Sequence, residues 1–321
     1  MSIATEISRL QTAKASIKTA IEDKGVAVPS SATLETYDEY IQQISTAPAA
    51  PEYFRITNRT SDNGTITITK ATNAPVISFR VRTGANGTWG NVVSTTTNTT
   101  NLYINPNSFI EFAGFNPSGA TSTANTYNIK VNVAHNVSGD LSTFIQTPFY
   151  PNFFLDNVNL IDASGLILPG DNLADNAYFR MFRGCTGMTS APAVLPAQNM
   201  SMRCYSQMFR DCTSLVNPPA LPATALTDSC YEAMFNSCTS LTTGPDLKAK
   251  VLNVKSYQNM FYNCSSLSSV VCLATDISAT NCLNAFMSGV GSGGTLYCDS
   301  TMVNEWTSRV PSGWSVQVYS E

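Results

Sequence analysis

Nine cysteines are the most reactive side chains of this 321-residue chain, and all of them lie beyond residue 184. Thiolates can hold a metal ion, pair as disulfides or act as nucleophiles. An odd number of cysteines and the lack of a Cys-x-x-Cys pair argue against both a zinc site and a complete disulfide framework. We therefore expect free, reduced cysteines in small apolar positions, with a metal or disulfide ladder as the alternative.

Histidine is scarcer still, since His135 is the only one in the chain. A Ser-His-Asp or Cys-His triad would have to use it, but no cysteine or serine in a nucleophile context lies near it. The sequence also lacks a glycine-rich phosphate loop and a His-Glu-x-x-His motif. Spacing along the chain does not exclude a carboxylate pair for glycoside hydrolysis. We predict that the chain is not an enzyme, with no catalytic residue, cofactor or bound metal.

The charge composition narrows the class of partner. Only 12% of residues are charged and the net charge is -4, which argues against nucleic acid and against anionic membranes. No apolar run approaches the roughly 18–20 residues that span a bilayer, so no membrane insertion is expected. The first residues lack the basic and apolar regions of a secretory signal.

One phrase recurs through the C-terminal half and must position most of these cysteines. It reads Tyr-x-x-Met-Phe-x-x-Cys, and its phenylalanines, Phe182, Phe209, Phe235 and Phe261, follow one another at sequence intervals of 27, 26 and 26. A fixed period of this size is typical of stacked repeats. Within one copy Tyr231, Phe235 and Cys238 fall at i, i+4 and i+7, which predicts one buried stripe of a short helix.

An apolar phrase lies between successive copies and predicts a strand. A leucine stands at a constant interval before each helix phenylalanine, as in the pairs Leu195–Phe209, Leu221–Phe235 and Leu247–Phe261. Each unit would then be one strand and one helix, which cannot bury its apolar face alone and must stack. Phe286 would be a weak fifth copy with Gly289 in the cysteine position, followed by a cap anchored by Trp306 and Trp314.

The core Met-Phe-x-x-Cys-x-Ser-Leu, at 208–215 and again at 234–241, resembles the BspA-type leucine-rich repeats of bacterial and phage surface proteins. The resemblance covers roughly residues 165–298 and implies an α/β solenoid. It implies little about a ligand, because a fold does not fix a function. Recognition would have to use variable positions between the repeated residues, for example Arg203, Arg210, Lys248, Lys250 and Lys255.

The first 47 residues carry a heptad pattern instead. Apolar residues and one lysine step by four and three, which predicts a docking or oligomerisation seam of Ile3, Ile7, Leu10, Lys14, Ile17 and Ile21. A second helix after Pro29 would complete a helical hairpin. Packing of this hairpin against the next domain is the alternative to docking. The phrase from Ile7 to Pro29 also resembles the N-terminal segment of phage tail and fibre proteins, which implies attachment to a virion.

Between these regions the apolar period changes to two. Alternation at 65–69, 77–82 and 127–133, with Asn63-Gly64 and Asn86-Gly87 as turn signals, predicts seven or eight short strands in an immunoglobulin-like β-sandwich. Trp89 resembles the tryptophan of the hairpin found in small immunoglobulin-like modules. It would serve as a core or hairpin clamp, with a sugar platform as the alternative.

The fold class we predict is therefore modular α+β. It has a helical anchor at 1–47, a β-sandwich at 52–150 and a leucine-rich-repeat α/β solenoid with a C-terminal cap at 151–321. The function predicted is a non-enzymatic bacteriophage virion component, a head or tail fibre or decoration protein that displays a host-recognition module. A bacterial surface or secreted adhesin is the alternative.

The partners expected agree with that function. They are other virion proteins bound through the N-terminal segment, further copies of the chain as a homotrimer or homodimer, and a host surface glycan or protein. The location expected is the virion surface, after assembly in the host cytoplasm.

Overall fold

The computed structural model describes Lys14 and residues 53–84, 87–115, 126–145 and 149–320. Residues from Tyr53 onward form one compact unit. Its strands are β1 Phe54–Asn58, β2 Gly64–Lys70, β3 Ser78–Thr83, β4 Val93–Ser94, β5 Thr99–Ile104, β6 Phe109–Gly114, β7 Tyr127–Val131, β8 His135–Asp140, β9 Leu160–Ile167, β10 Ser269–Cys272, β11 Gly294–Cys298 and β12 Trp314–Val318. Among the described residues beyond 52, the only α-helix is α1, Val303–Thr307.

The first nine strands form two sheets. Six strands pair in the order β4-β3-β6-β1-β8-β9, and three pair in the order β5-β2-β7. Buried and exposed side chains alternate along β1 and β2, as expected for strands with one face on a core. The predicted immunoglobulin-like sandwich is wrong, because its strands would all be antiparallel, whereas β9 runs parallel to β8.

The predicted α/β solenoid is also wrong, because the recurring phrase is not helical. Its copies are chains of tight turns, called turn segments here, at 150–157, 178–185, 205–212, 231–238, 257–264 and 283–290. A positive φ recurs at every fourth residue in and just before these segments. The residues concerned are Asn152 and Asp156; Asn176, Arg180 and Gly184; Arg203, Gln207 and Asp211; Ser229, Ala233 and Ser237; Lys255, Asn259 and Asn263; Asn281, Ala285 and Gly289.

Backbone hydrogen bonds divide into two alternating sets in each turn segment. The Met181 N–H donates to Tyr178 O (3.2 Å), closing a turn within the segment. The next N–H, on Phe182, donates across to Met208 O in the following segment (2.9 Å). Each interior peptide group therefore finds a partner without an α-helix. The positive φ at every fourth residue is the conformational cost of this arrangement.

The spacing of apolar residues explains why the helix prediction was wrong. Positions i, i+3, i+4 and i+7 lie on one face of a helix with 3.6 residues per turn. The same positions point inward in a chain of turns with a period of four, as Tyr178, Met181, Phe182 and Cys185 do, each with no exposed surface. A phrase this short cannot distinguish the two periods.

The phrases between the turn segments are also weaker strands than predicted. The central ones pair only through isolated parallel bridges such as Val194↔Ala220 and Leu247↔Cys272. Prolines at 192, 196, 218, 219, 222 and 245 lack the N–H that a continuous ladder needs. Regular pairing of three parallel strands appears only at the C-terminal end, in the sheet β10-β11-β12.

Side chains inside the stack form three ladders. Tyr150, Tyr178, Tyr205, Tyr231 and Tyr257 stack in one, with ring centroids 5.4–6.2 Å apart. Phe154, Phe182, Phe209, Phe235 and Phe261 stack in another, with interplanar angles of 9°, 4°, 6° and 7°. In the third, each cysteine thiol donates to the phenylalanine carbonyl one segment earlier, as Cys212 does to Phe182 O at 3.0 Å.

The structure corrects the predicted register at both ends of the stack. In the earlier segments the phenylalanine N–H donates to the methionine carbonyl of the next segment, as Phe235 N–H does to Met260 O. Phe261 N–H donates to Phe286 O, so Phe286 takes the methionine position. Gly289, with φ of 78°, then matches the left-handed positions of earlier segments, and the cysteine position passes to Val290. At the other end, the segment at 150–157 was missed, because Phe153 replaces the methionine and Asn157 the cysteine.

That first segment joins the stack to the sheets. Asn157 is buried and its Nδ2 donates to His135 Nε2 (3.2 Å), while His135 Nδ1 donates to Val133 O (2.9 Å). Both ring nitrogens are occupied and the imidazole has no exposed surface. Phe154 places its ring 6.2 Å from Phe54 on β1 and 5.2 Å from Phe182, so the sheets and the stack share one core.

The predicted N-terminal helical hairpin lies outside the described residues, except for Lys14. Lys14 is helical and its side chain is half-buried.

The turn geometry predicts opposite effects for two alanine-to-glycine changes. Ala233 has φ of 52°. Ala233→Gly removes left-handed strain from the folded state, which stabilises it by roughly 1–2 kcal/mol. The greater chain entropy of glycine stabilises the unfolded state by roughly 0.4–1 kcal/mol. We expect the free energy of unfolding to rise by about 0.5 kcal/mol. Ala249→Gly, at a buried residue outside the positive-φ positions, should lower it by roughly 0.5–1 kcal/mol. Equal losses in urea titrations would contradict the turn geometry, because glycine destabilises any helix interior.

The buried imidazole predicts a pH dependence of stability. Burial lowers the pKa of His135 to about 4, below the unfolded value of about 6.5. Between these values the unfolded state binds the extra proton, so the unfolding free energy falls as pH drops from 6.5 to 4, by up to about 1.4 kcal/mol per pH unit. Urea titrations across this range should show a shallower fall in His135→Gln. An unchanged slope in that variant would exclude His135 as the source.

Candidate functional site

The outer surface of the turn segments presents a different set of side chains from the inner one. In each four-residue step two side chains point into the core and two face solvent or the neighbouring segments. In the second segment the outward residues include Phe179, Arg180 and Arg183, and in the third they include Gln207 and Arg210. Because successive segments stack in register, outward residues one repeat period apart become neighbours.

This register assembles an arginine cluster, consisting of Arg180, Arg183 and Arg210 with Gln207 and Asp211. Arg180 Nε donates to Gln207 Oε1 at 3.1 Å. Arg183 Nε and Arg210 Nε lie 3.4 and 3.5 Å from the same Asp211 Oδ2. The two side chains keep 30% and 35% of their surface exposed. Guanidinium groups are therefore fixed at the surface by the fold while retaining free donors.

The electrostatics of the cluster leave it positive. The cluster holds three guanidinium groups but one carboxylate, which Arg183 and Arg210 approach, and Asp156 lies on the same row beside Gly184. Burial lowers the pKa of Arg180 from its usual value, and the neighbouring charges of Arg183 and Arg210 lower it further. Arg210 Nε is buried and makes no hydrogen bond among the described residues. It lies 3.5 Å from Asp211 Oδ2, close enough for an ion pair.

These groups suit an anionic ligand. A guanidinium offers paired N–H donors that match the two oxygens of a carboxylate, sulfate or phosphate. Phe179 lies beside them, with its ring centroid 4.4 Å from the Arg180 guanidinium carbon. A half-exposed ring next to arginines can hold the apolar face of a sugar while the arginines bind its acidic substituent.

The structure brings only one of the five positions expected for recognition into this cluster, namely Arg210. Arg203 is exposed at the positive-φ position just before the third turn segment. Lys255 occupies the matching position two segments further along. Lys248 and Lys250 lie between the turn segments, and Lys250 Nζ pairs with Asp299 Oδ2 at 3.1 Å. Hydrogen bonds from the Thr301 N–H and hydroxyl, followed by the contact with Lys250, lower the pKa of Asp299 to about 2.

Sequence reasoning missed Arg180, Arg183 and their partners because it considered variable positions one at a time and did not compare residues at equal positions of successive repeats. The signal that finds them is the repeat itself. Arg183 and Arg210 are separated by the same interval as Phe182 and Phe209. Arg180 and Gln207 share that separation. Residues at equal repeat positions become neighbours in any stack, whatever its local conformation.

Trp89 belongs to a second surface group, on β1, β3 and β6. Its ring meets Tyr53 edge-on at 4.9 Å, and the Arg82 guanidinium lies 4.8 Å from its centroid. Glu111 is buried beneath and pairs with Arg82 (2.5 Å) and Arg55 (2.6 Å). Both carboxylate oxygens are thus occupied, and Trp89 itself is half-exposed, packing as a surface clamp over the sheet.

The cysteines are buried and free. Burial raises the pKa of the Cys264 thiol to about 12, so it stays protonated at neutral pH and donates to Phe235 O at 3.0 Å. No cluster of three or more metal-binding side chains occurs within the described ranges. The predicted seam residues Ile3, Ile7, Leu10, Ile17 and Ile21 lie outside those ranges, and Lys14 alone is described.

None of the described helices has the length and hydropathy of a membrane-spanning segment. Comparison with known proteins finds no match to this chain among family models, curated proteins or solved structures.

The arginine cluster predicts selective binding of acidic glycans. Arg183→Gln with Arg210→Gln should lower affinity for a uronic-acid oligosaccharide at least about tenfold, since bonds to charged groups contribute roughly 1.5–3 kcal/mol each. Calorimetry at two ionic strengths provides the measurement. Lys248→Gln with Lys250→Gln is the matched control, because it removes the same charge elsewhere. Equal loss in both double variants would indicate attraction to overall charge and would contradict a specific cluster.

Proposed function

We propose that this chain is a non-enzymatic structural component of a bacteriophage virion, a head or tail fibre or decoration protein. Its N-terminal segment attaches it to the particle, and its C-terminal half displays a recognition surface to the host. The observation that carries the proposal is the phrase from Ile7 to Pro29, with its resemblance to the first segment of phage tail and fibre proteins.

The described part of the chain suits display. Turn segments stack on a shared core of aromatic rings and buried thiols, so the interior is occupied by packing residues. Side chains on the outer surface are free to vary without disturbing that core, because they make few contacts with it. The arginine cluster is one set of such outer side chains.

The ligand that best fits the arginine cluster is an acidic surface glycan of the host cell. Three guanidinium groups, one half-exposed ring and a single shared carboxylate match sugars that carry carboxylate or sulfate groups. The partners proposed through the N-terminal segment are other virion proteins and further copies of the chain, as a homotrimer or homodimer.

The attachment proposal is tested by particle incorporation. Leu10→Asp with Ile17→Asp places two charges in the predicted seam, and we expect the amount of chain in purified particles to fall at least about tenfold, since burying unpaired charge is costly. Ser8→Asp with Thr19→Asp is the matched control outside the seam. Quantitative mass spectrometry of particles gives the measurement, and sedimentation of the purified chain gives the oligomeric state.

Normal incorporation of a chain lacking residues 1–47 would refute the anchor. A chain found on bacterial envelopes, and absent from particles, would support an adhesin in place of a virion protein. A purified chain that sediments as a stable monomer would refute the homotrimer or homodimer.

A further inference from the structure

The row of hydrogen bonds between turn segments stops at the last segment. In the fifth segment, five alternate N–H groups donate onward, from Lys255, Tyr257, Asn259, Phe261 and Asn263, at 2.8–3.2 Å. The equivalent residues of the last segment are Asn281, Leu283, Ala285, Met287 and Gly289. Their N–H groups donate to no backbone carbonyl among the described residues. Five parallel backbone donors, called the donor row here, are therefore left open.

The cause lies in the chain beyond the last segment. A further turn segment after β11 would present carbonyls to the donor row, but a 3-10 helix, Ser300–Met302, and α1 follow β11 instead. The helix closes with a last turn in which Arg309 and Val310 N–H both donate to Trp306 O. Trp306 packs its ring 5.9 Å from Phe286 and leaves a groove of about 340 Å³ between the helix and the donor row.

The groove offers donors and apolar surface together. Leu283, Phe286, Met287, Trp306 and Pro311 line it. The Trp306 indole N–H is fully buried and has no partner in the described part of the chain. Carbonyls of the last segment point the other way, since Phe286 O and Ser288 O accept from the fifth segment. An occupant must therefore bring acceptors at every second residue, with an apolar side chain for the groove.

A second copy of the chain does not fit this description. The same edge of another copy would oppose donors with donors. The acceptor side of the first segment is already covered by β7, where Ile129 N–H donates to Phe153 O (2.7 Å). Asn128 Nδ2 also donates to Asn152 O (2.9 Å) and Leu155 O (3.0 Å). Head-to-tail stacking of copies through these two ends is thus blocked.

We propose that the groove binds a peptide segment of a partner protein that adopts the turn conformation, because turn segments supply the acceptors for every equivalent donor row in the chain. Its alternate carbonyls accept from the donor row, and one apolar side chain enters the groove beside the partly exposed Leu283 and Pro311. Open sheet edges bind peptides by a comparable division of roles, in which main-chain hydrogen bonds give affinity and pockets give specificity.

A suitable probe is a synthetic peptide with the sequence of residues 254–266. Within the chain this stretch presents the carbonyls that the fourth segment uses, such as Met260 O for Phe235 N–H (3.0 Å) and Gln258 O for Ala233 N–H (2.8 Å). Added to the purified full chain, it should slow amide hydrogen exchange across residues 281–289 at least about tenfold, as new backbone bonds do. A scrambled peptide should leave exchange unchanged.

Two variants test the location. Ser288→Trp fills the groove from an exposed position, and Asn284→Trp fills the neighbouring pocket further along the donor row. Both should abolish the slowing, while Ser266→Trp, exposed outside the groove, should retain it. No slowing at saturating peptide, or slowing that survives both groove variants, overturns the proposal. If inorganic phosphate slows exchange of the same amides and the peptide does not, the groove is an anion site and the peptide proposal is overturned. The purified chain needs no virion for this test, so its outcome is independent of particle attachment.

Discussion

The alternation of backbone donors within the turn segments is the constraint on which the C-terminal half depends. One N–H closes a turn on its own segment, and the next crosses to the following segment. Each buried peptide group must find a partner, because an unpaired one costs as much as a lost hydrogen bond. Satisfying all of them places a left-handed residue at every fourth position, and asparagine, serine and glycine occupy many of these positions. The aromatic and thiol ladders result, since side chains at equal positions are then held in contact, with neighbouring ring centroids 5.4 Å apart for Tyr178 and Tyr205 and 5.5 Å apart for Phe182 and Phe209.

The sequence was informative about which residues are buried and less so about their conformation. The repeated tyrosine, methionine, phenylalanine and cysteine are buried wherever the phrase occurs, as the period alone predicts. Helix and four-residue turn share the spacing of those residues, so local pattern could not choose between them. The proline-interrupted phrases read as strands by their apolar residues, although proline removes the N–H that pairing needs. Phe286 was assigned to the phenylalanine position because of its residue type. It takes the methionine position instead, so the predicted register of the last segment was wrong by one residue.

The surface was harder to predict than the core for a related reason. Arg183 and Arg210 both approach Asp211 because the stack places residues one repeat apart side by side. Finding this group from the sequence requires a comparison of the outward residues of successive repeats. The Asn157–His135 pair joins two parts of the chain that no repeat relates, so no pattern in the sequence signals it. An open donor row is a property of the structure beyond the last segment, and no pattern of residue types signals it.

The near-constant spacing of the phenylalanine ladder has a consequence for how such a protein can change in size. Each added segment lengthens the ladder by one ring separation, 5.2–5.8 Å, and leaves both terminal structures intact. Duplication or loss of one repeat unit by recombination would therefore shift the two ends relative to each other in fixed increments. Every internal junction presents the same donors and the same ring face, so a new unit meets a surface that already fits it. The distance between the sheets and the open groove can therefore change in evolution only by whole segments.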